Sequence, residues 1–226
     1  MILFAADFEK AFDSIEHSFI IATLKHFNFG PNFIKWITVL LMGNESCVIN
    51  NGKVTDFFPL MRGTKQGDPI SPYIFILVIE ILATMVRKSS EIEGLKILGN
   101  EIKMLIFADD TTFFLKDEKS FSQVLKLLDT FATFSSLKIN IKKSEAGWLF
   151  RHPSESDEFV LKTGIIFIDF ETNGIKILGM FISHNKELKH KNNLQRVLTS
   201  FKTVLSIWKT RNLTLYGKIM VLRTLA

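Results

Sequence analysis

Glu101-Ile102-Lys103-Met104-Leu105-Ile106-Phe107-Ala108-Asp109-Asp110-Thr111-Thr112-Phe113-Phe114-Leu115 sets two carboxylates between two apolar runs. Both runs are short and rich in Ile, Phe and Thr. They read as strands, Glu101 to Ala108 and Thr111 to Leu115, of a hairpin with Asp109-Asp110 at its tip. An acid pair flanked by Phe107, Phe113 and Phe114 is an expensive place for charge. Like charges this close resist joint ionisation unless a cation neutralises them. Mg²⁺, a hard ion that takes oxygen ligands, is the natural partner. The plainer alternative is that Asp-Asp is a common turn dipeptide with no chemistry attached.

A third carboxylate stands at the start of the chain. Ile2-Leu3-Phe4-Ala5 reads as a short buried strand ending in Asp7. Adjacent strands lie about 4.8 Å apart, so Asp7 reaches the acid pair if its strand neighbours the hairpin. Three carboxylates so gathered suit two ions about 3.5–4 Å apart. Alternatively, Asp7 could simply cap a turn.

The remaining pattern is mixed. Glu16 to Phe27 has helical spacing and stops at Gly30-Pro31, and Phe33, Trp36, Ile37, Leu40 and Leu41 form a second helical face ended by Gly43. Cys47 to Asn50 and Val54 to Phe58 flank Asn51-Gly52, a strong hairpin signal. A polar loop, Arg62 to Pro69, leads to Ser71-Pro72, an N-cap followed by a proline at the first helical position. The helix from Pro72 to about Lys88 is apolar nearly all round, so burial on most sides is expected. Leu95 to Leu98 precedes a turn at Gly99-Asn100. Ser120 to Phe134 is amphipathic, Leu137 to Ile141 and Ala146 to Phe150 read as strands, and Arg151 to Asp157 as a polar loop. Ile175 to Ile182 reads as a strand, Leu194 to Trp208 marks a long helix, and Thr214 to Leu225 another. The order is α+β, helices packed on a mainly antiparallel sheet.

Composition narrows the class. The single Cys47 excludes a disulfide framework and a cysteine zinc site, so no disulfide partner is expected. The most apolar run, Tyr73 to Val86, carries Glu80 and falls short of the ~20 residues a membrane span needs. The lone Cys47 fits a reducing intracellular setting, and no signal peptide is recognisable. The net charge is +5 and the pI about 9.2. Charge is uneven: from Ile175 onward the single acid is Glu187, against Lys176, Lys186, Lys189, Lys191, Arg196, Lys202, Lys209, Arg211, Lys218 and Arg223. Such a stretch is either a solvated helix face or a surface for a phosphate backbone.

Five segments, in order, resemble the catalytic motifs of reverse transcriptases: Asp7-Phe8-Glu9-Lys10-Ala11-Phe12-Asp13-Ser14-Ile15-Glu16-His17, Arg62 to Pro72, Phe107-Ala108-Asp109-Asp110, Leu137 to Ser144, and Ile177-Leu178-Gly179. Any one is weakly specific; the ordered set is strong. Gln66-Gly67-Asp68-Pro69 and the Phe-Ala-Asp-Asp form resemble the enzymes of non-LTR retrotransposons, the long interspersed elements. Group II intron maturases and telomerase-like enzymes are the runners-up, and a non-catalytic nucleic-acid-binding remnant is the reading from another class.

The resemblance implies a polymerase palm over residues 1–183, followed by the start of a basic helical thumb over 184–226. It implies an RNA-directed DNA polymerase acting on an RNA template, a DNA primer and dNTPs. Two Mg²⁺ ions, with Mn²⁺ as substitute, would be held by Asp7, Asp109, Asp110 and the Phe8 carbonyl. Phe12 matches the aromatic gate beneath the incoming sugar. Gln66 and Gly67 match the loop that touches the incoming nucleotide and template base, with Arg62 near phosphate or template. Lys143, or its rival Lys142, matches a general acid for the leaving pyrophosphate. Leu178-Gly179 fits a turn supporting the primer end. Ser136 departs from the glycine many relatives carry there. The resemblance begins at the first catalytic motif, so the expectation is a piece lacking fingers, inactive alone, with apolar palm surface exposed. An active parent element would work in the nucleus.

Overall fold

The computed structural model describes residues 1–149, 163–209 and 211–225. It divides into two compact units, Met1–Phe167 and Ile168–Ala226.

The first unit is built on an antiparallel sheet. Its strands are β1 (Ile2–Ala6), β8 (Met104–Phe107), β9 (Asp110–Leu115), β10 (Glu145–Trp148) and β11 (Ile166–Ile168), in the order β11-β10-β1-β9-β8. β1 is therefore central, which explains why Ile2, Leu3 and Phe4 are fully buried. The helices are α1 (Ala11–Ser14), α2 (His17–His26), α3 (Pro31–Leu41), α4 (Ser71–Lys88) and α5 (Glu118–Ser135). Their apolar faces join Ile2, Phe4, Ala6 and Phe8 of the first strand segment in one core. Phe4 sits at its centre, with ring centroids 5.6 Å from Phe113 and 5.0 Å from Phe121. By alternation, Leu3, Ala5 and Asp7 belong to the other face of the sheet. Small hairpins complete the unit: β2 (Glu45–Ser46) with β5 (Phe58–Pro59), β3 (Ile49–Asn50) with β4 (Lys53–Val54), and β6 (Leu95–Ile97) with β7 (Asn100–Ile102).

The second unit holds a hairpin of β12 (Ile175–Ile177) and β13 (Met180–Ile182). Helices α6 (Lys186–His190), a π-helical turn (Lys191–Gln195), α7 (Arg196–Lys209) and α8 (Leu215–Leu225) follow. The Asn193 side chain accepts from the Phe181 amide and donates to its carbonyl, both at 2.7 Å, tying the π turn to β13. Among the described residues no helix is long and apolar enough to cross a membrane.

Several local expectations change. The turn before β7 is Leu98-Gly99, one residue earlier than Gly99-Asn100, because both central residues take positive φ (48° and 82°) and Gly fills the second place. Ile175 to Ile182 is not one strand but a hairpin turning at Leu178-Gly179 in the same way. Leu137 to Ile141 forms a single bridge, Phe8↔Ile139, since the chain turns at Asn140. Ser71 is not the N-cap of α4. Ile70 takes that place, and the buried Ser71 hydroxyl donates to the Lys65 carbonyl at 2.7 Å. α4 is buried on one face only; Tyr73 and Ile76 stand in solvent. Trp36, Val39 and Leu40 of α3 are likewise exposed. The loop read at Arg151 to Asp157, and the Phe150 end of its preceding strand, lie outside the described residues.

α5 begins on a side-chain cap. Asp117 accepts from the Ser120 amide at 2.8 Å. Partial burial pushes this carboxyl up, but the Ser120 amide and hydroxyl, with Lys116 and Lys119, together hold it below its ordinary 3.8. A carboxylate depressed by folding stabilises the fold above its unfolded value and loses that contribution as pH falls through its folded value. Asp117→Ala should therefore cost about 1 kcal/mol in urea unfolding at neutral pH. The gap from the parent protein should close in titrations taken below its ordinary 3.8.

Candidate active site

The strand pairing places the ends of β1 and β9 that carry Asp7 and Asp110 side by side. β9 runs beside β1 with Ala6↔Thr111 as the last pair. Continued by one step, that register sets Asp7 beside Asp110. β8 and β9 form the hairpin, closing at Phe107↔Asp110 over a two-residue turn, Ala108-Asp109. Asp109 thus occupies the turn, and Asp110 the first position of β9. Ala108 has φ 54°, a region that L-residues adopt at a cost, so the tip is held in an unfavourable conformation by the ladder beneath it. Asp109 and Asp110 are exposed and Asp7 half-buried, so the cluster opens to solvent.

The donor set is all hard oxygen, which fits a divalent ion of the Mg²⁺ type. Among the described residues no three His, Cys, Asp or Glu side chains form a ready-made metal cage. This is compatible with such an ion, which usually takes one or two carboxylates and completes its shell with water and substrate phosphate. Mutual repulsion also keeps bare carboxylates apart. The Phe8 side chain is buried. The two bonds of its bridge, Glu9 amide to Lys138 carbonyl (2.9 Å) and Asn140 amide to Asp7 carbonyl (2.7 Å), leave the Phe8 carbonyl out.

The loop from Arg62 to Pro69 docks on the segment that follows Asp7. The backbones of Arg62 and Glu16 form an isolated antiparallel β-bridge, the Gly63 amide donates to the Ile15 carbonyl (2.8 Å), and the Thr64 amide to the Phe12 carbonyl (2.7 Å). The buried His17 ring meets the Gly63 carbonyl at 2.9 Å. Gln66 donates to Asp13 at 3.3 Å. Gly67 stands in open space at φ 88°, so its requirement for glycine is conformational. Phe12 is half-buried with its ring 4.6 Å from that of Phe75. Arg62 and Gln66 are exposed, as are Lys142 and Lys143 in the turn after Asn140. Leu178-Gly179 occupies the β12–β13 turn of the second unit.

The sequence reading overlooked Asp13, His17, Gly63 and Ser144 as working parts. Each lies inside a quoted motif, yet its contact is with another motif, which linear pattern does not reveal.

A central strand bearing one acid, next to a hairpin bearing two at its tip, with helices behind, defines the palm of a nucleic-acid polymerase. The family described as "Reverse transcriptase (RNA-dependent DNA polymerase)" matches residues 1–182, and the chain belongs to it. Two of its relatives are named for mobile elements. It is 29% identical over 223 residues to the transposon TX1 uncharacterized 149 kDa protein of Xenopus laevis, covering 97% of this chain and 16% of that protein. It is 34% identical over 139 residues to the Pol polyprotein of the type-2 retrotransposable element R2DM of Drosophila melanogaster, covering 61% and 13%. These relatives agree with the non-LTR retrotransposon subgroup, and the chain spans only a small part of their length. Among solved structures, telomerase from Candida albicans superposes with a TM-score of 0.55 at 10% identity, over 89% of this chain and 34% of that one. Apo telomerase from Candida tropicalis gives 0.54 at 13%, over 83% and 34%. At such identities the likeness is one of fold. The family generally uses divalent metal ions.

Proposed function

We propose that this chain carries the centre for RNA-templated DNA synthesis in a retrotransposon polypeptide. Asp7, Asp109, Asp110 and the Phe8 carbonyl would hold two Mg²⁺ ions, with Mn²⁺ as substitute. The observation that supports this most is the β1–β9 register, whose last pair, Ala6↔Thr111, is flanked by Asp7 on one chain segment and Asp110 on the other. When bound there, such ions would supply positive charge for the primer 3′-hydroxyl and the leaving pyrophosphate. The chain's own residues do the rest. Phe12, backed by Phe75, lies under the incoming sugar, where a flat ring excludes a 2′-hydroxyl. Gln66 and Gly67 meet the nucleotide and template base, with Arg62 on phosphate. Lys143 protonates the pyrophosphate, and the Leu178-Gly179 turn steadies the primer end. In this reading the palm runs over 1–183, and the basic helices from 184 begin a thumb that lies along the duplex backbone.

The test uses the polypeptide that carries this chain, an RNA template, an annealed DNA primer and dNTPs. Extension should occur with Mg²⁺ or Mn²⁺ and stop in excess EDTA. Extension at full rate in EDTA would overturn the reading. So would template–primer binding that weakens with salt, ignores Mg²⁺ and dNTP, and yields no product; that result favours a binding remnant.

A further inference from the structure

The segment after α5 carries Lys142 and Lys143, but its contacts are with Asp7. Asp7 sits past the end of both ladders of β1. Its last partners are Thr111 for Ala6 on β9 and Glu145 for Ala5 on β10. The Asp7 amide therefore has no ladder carbonyl to meet. It donates instead to the Ser144 hydroxyl at 3.1 Å, a bond joining residues 137 apart in sequence. Ser144 is fully buried. Its place is set by the turn at Asn140, whose carbonyl accepts from the amides of Lys143 (3.1 Å) and Ser144 (2.8 Å). The Asn140 amide in turn donates to the Asp7 carbonyl at 2.7 Å. Both backbone polar groups of Asp7 thus end on one short turn.

We infer that Ser144 is a positioning residue for Asp7: its buried hydroxyl takes the amide that the sheet leaves free and thereby sets where the Asp7 carboxylate stands. This rests on Asp7 being a metal ligand. The physical need is plain. A ligand carboxylate must hold its position to within about 0.5 Å. A residue just past a strand end, with its amide unpaired, frays unless something else satisfies that amide. A serine hydroxyl is short and accepts hydrogen bonds, so it can replace the missing carbonyl without adding charge beside three acids. Threonine retains the hydroxyl; alanine retains only the volume.

The experiment compares the 226-residue chain with its Ser144→Ala and Ser144→Thr variants. Amide hydrogen exchange is followed at Asp7 by NMR, Mn²⁺ affinity by electron paramagnetic resonance of the free ion, and global stability by Tm. Ser144→Ala should speed exchange at Asp7 about tenfold and weaken Mn²⁺ binding severalfold, with protection at β1 and Tm little changed. Ser144→Thr should restore both. A purely structural serine would lower Tm and protection everywhere, without a selective change at Asp7. Should alanine unfold the chain, Ser144→Cys fills the space with a much weaker acceptor, and the same two readings decide. Parent-like exchange and Mn²⁺ affinity in the variant lacking the hydroxyl would overturn the inference. Asp7→Ala separates it from the reading it rests on. If that variant binds Mn²⁺ as the parent does, Asp7 is no metal ligand, and exchange alone then reports whether Ser144 holds its backbone.

Discussion

Asp109→Ala, made in the polypeptide that carries this chain, should lower primer extension by roughly 10³-fold or more while leaving folding untouched. The two halves of that expectation have separate causes. Asp109 is exposed in a two-residue turn, and among the described residues it makes no hydrogen bond or ion pair. Removing an exposed side chain with no partner changes stability by no more than about 0.5 kcal/mol. The hairpin is held by its ladder, from Met104↔Phe113 to Phe107↔Asp110, not by this carboxylate. Activity is another matter. Metal charge placed on the reacting oxygens is worth several kcal/mol, and losing one of the three carboxylates proposed to hold the ions would remove most of it. Steady-state extension at saturating Mg²⁺, paired with Tm and template–primer affinity, separates these effects. An alanine variant that synthesises DNA at the parent rate would remove Asp109 from the centre, and the proposed activity with it.

The acids were legible because charge at the ends of apolar strands contradicts its surroundings, and only tertiary structure resolves that contradiction. Pattern alone left each acid motif open to a plain turn, and the ordered resemblance joined Asp7 to Asp109-Asp110; the sheet order makes their strands neighbours. α2, α3 and α5 were readable for the ordinary reason that one face carries the core residues at helical spacing. Where the reading slipped, a distant partner had overridden a local preference. Ser71-Pro72 is a good start signal, but the hydroxyl is drawn to Lys65, and the cap passes to Ile70. Leu137 to Ile141 has strand composition but finds only Phe8 to pair with before Asn140 turns the chain. α4 looked buried all round because its sequence is; its Tyr73–Ile76 side shows that apolar content does not say how many neighbours an element has. The contacts of Ser144 and Gly63 were invisible for the same reason. A serine after two lysines and a glycine in a polar loop carry no local oddity.

Gly63→Ala should be strongly destabilising, costing about 3 kcal/mol or more and lowering Tm by roughly 6–12 °C. Gly63 has φ 84°, a conformation that alanine adopts at about 1–2 kcal/mol. A Cβ there would also lie 2.6 Å from the Asp13 carbonyl oxygen and 2.7 Å from its carbonyl carbon and Cα. Those atoms are backbone and cannot swing aside. To admit the methyl group, the loop must lift from α1, loosening the Gly63–Ile15 and Thr64–Phe12 bonds and the His17 contact together. Gly67, in the same loop at φ 88°, has nothing within 4 Å and should lose only the conformational part. Asparagine separates the two costs because it tolerates positive φ yet still carries a Cβ. Gly67→Asn should be mild, and Gly63→Asn nearly as harmful as alanine. Equal, small losses at both positions would show that the loop does not press on Asp13. The Gln66-Gly67 tip would then need some other support than the backbone that follows Asp7.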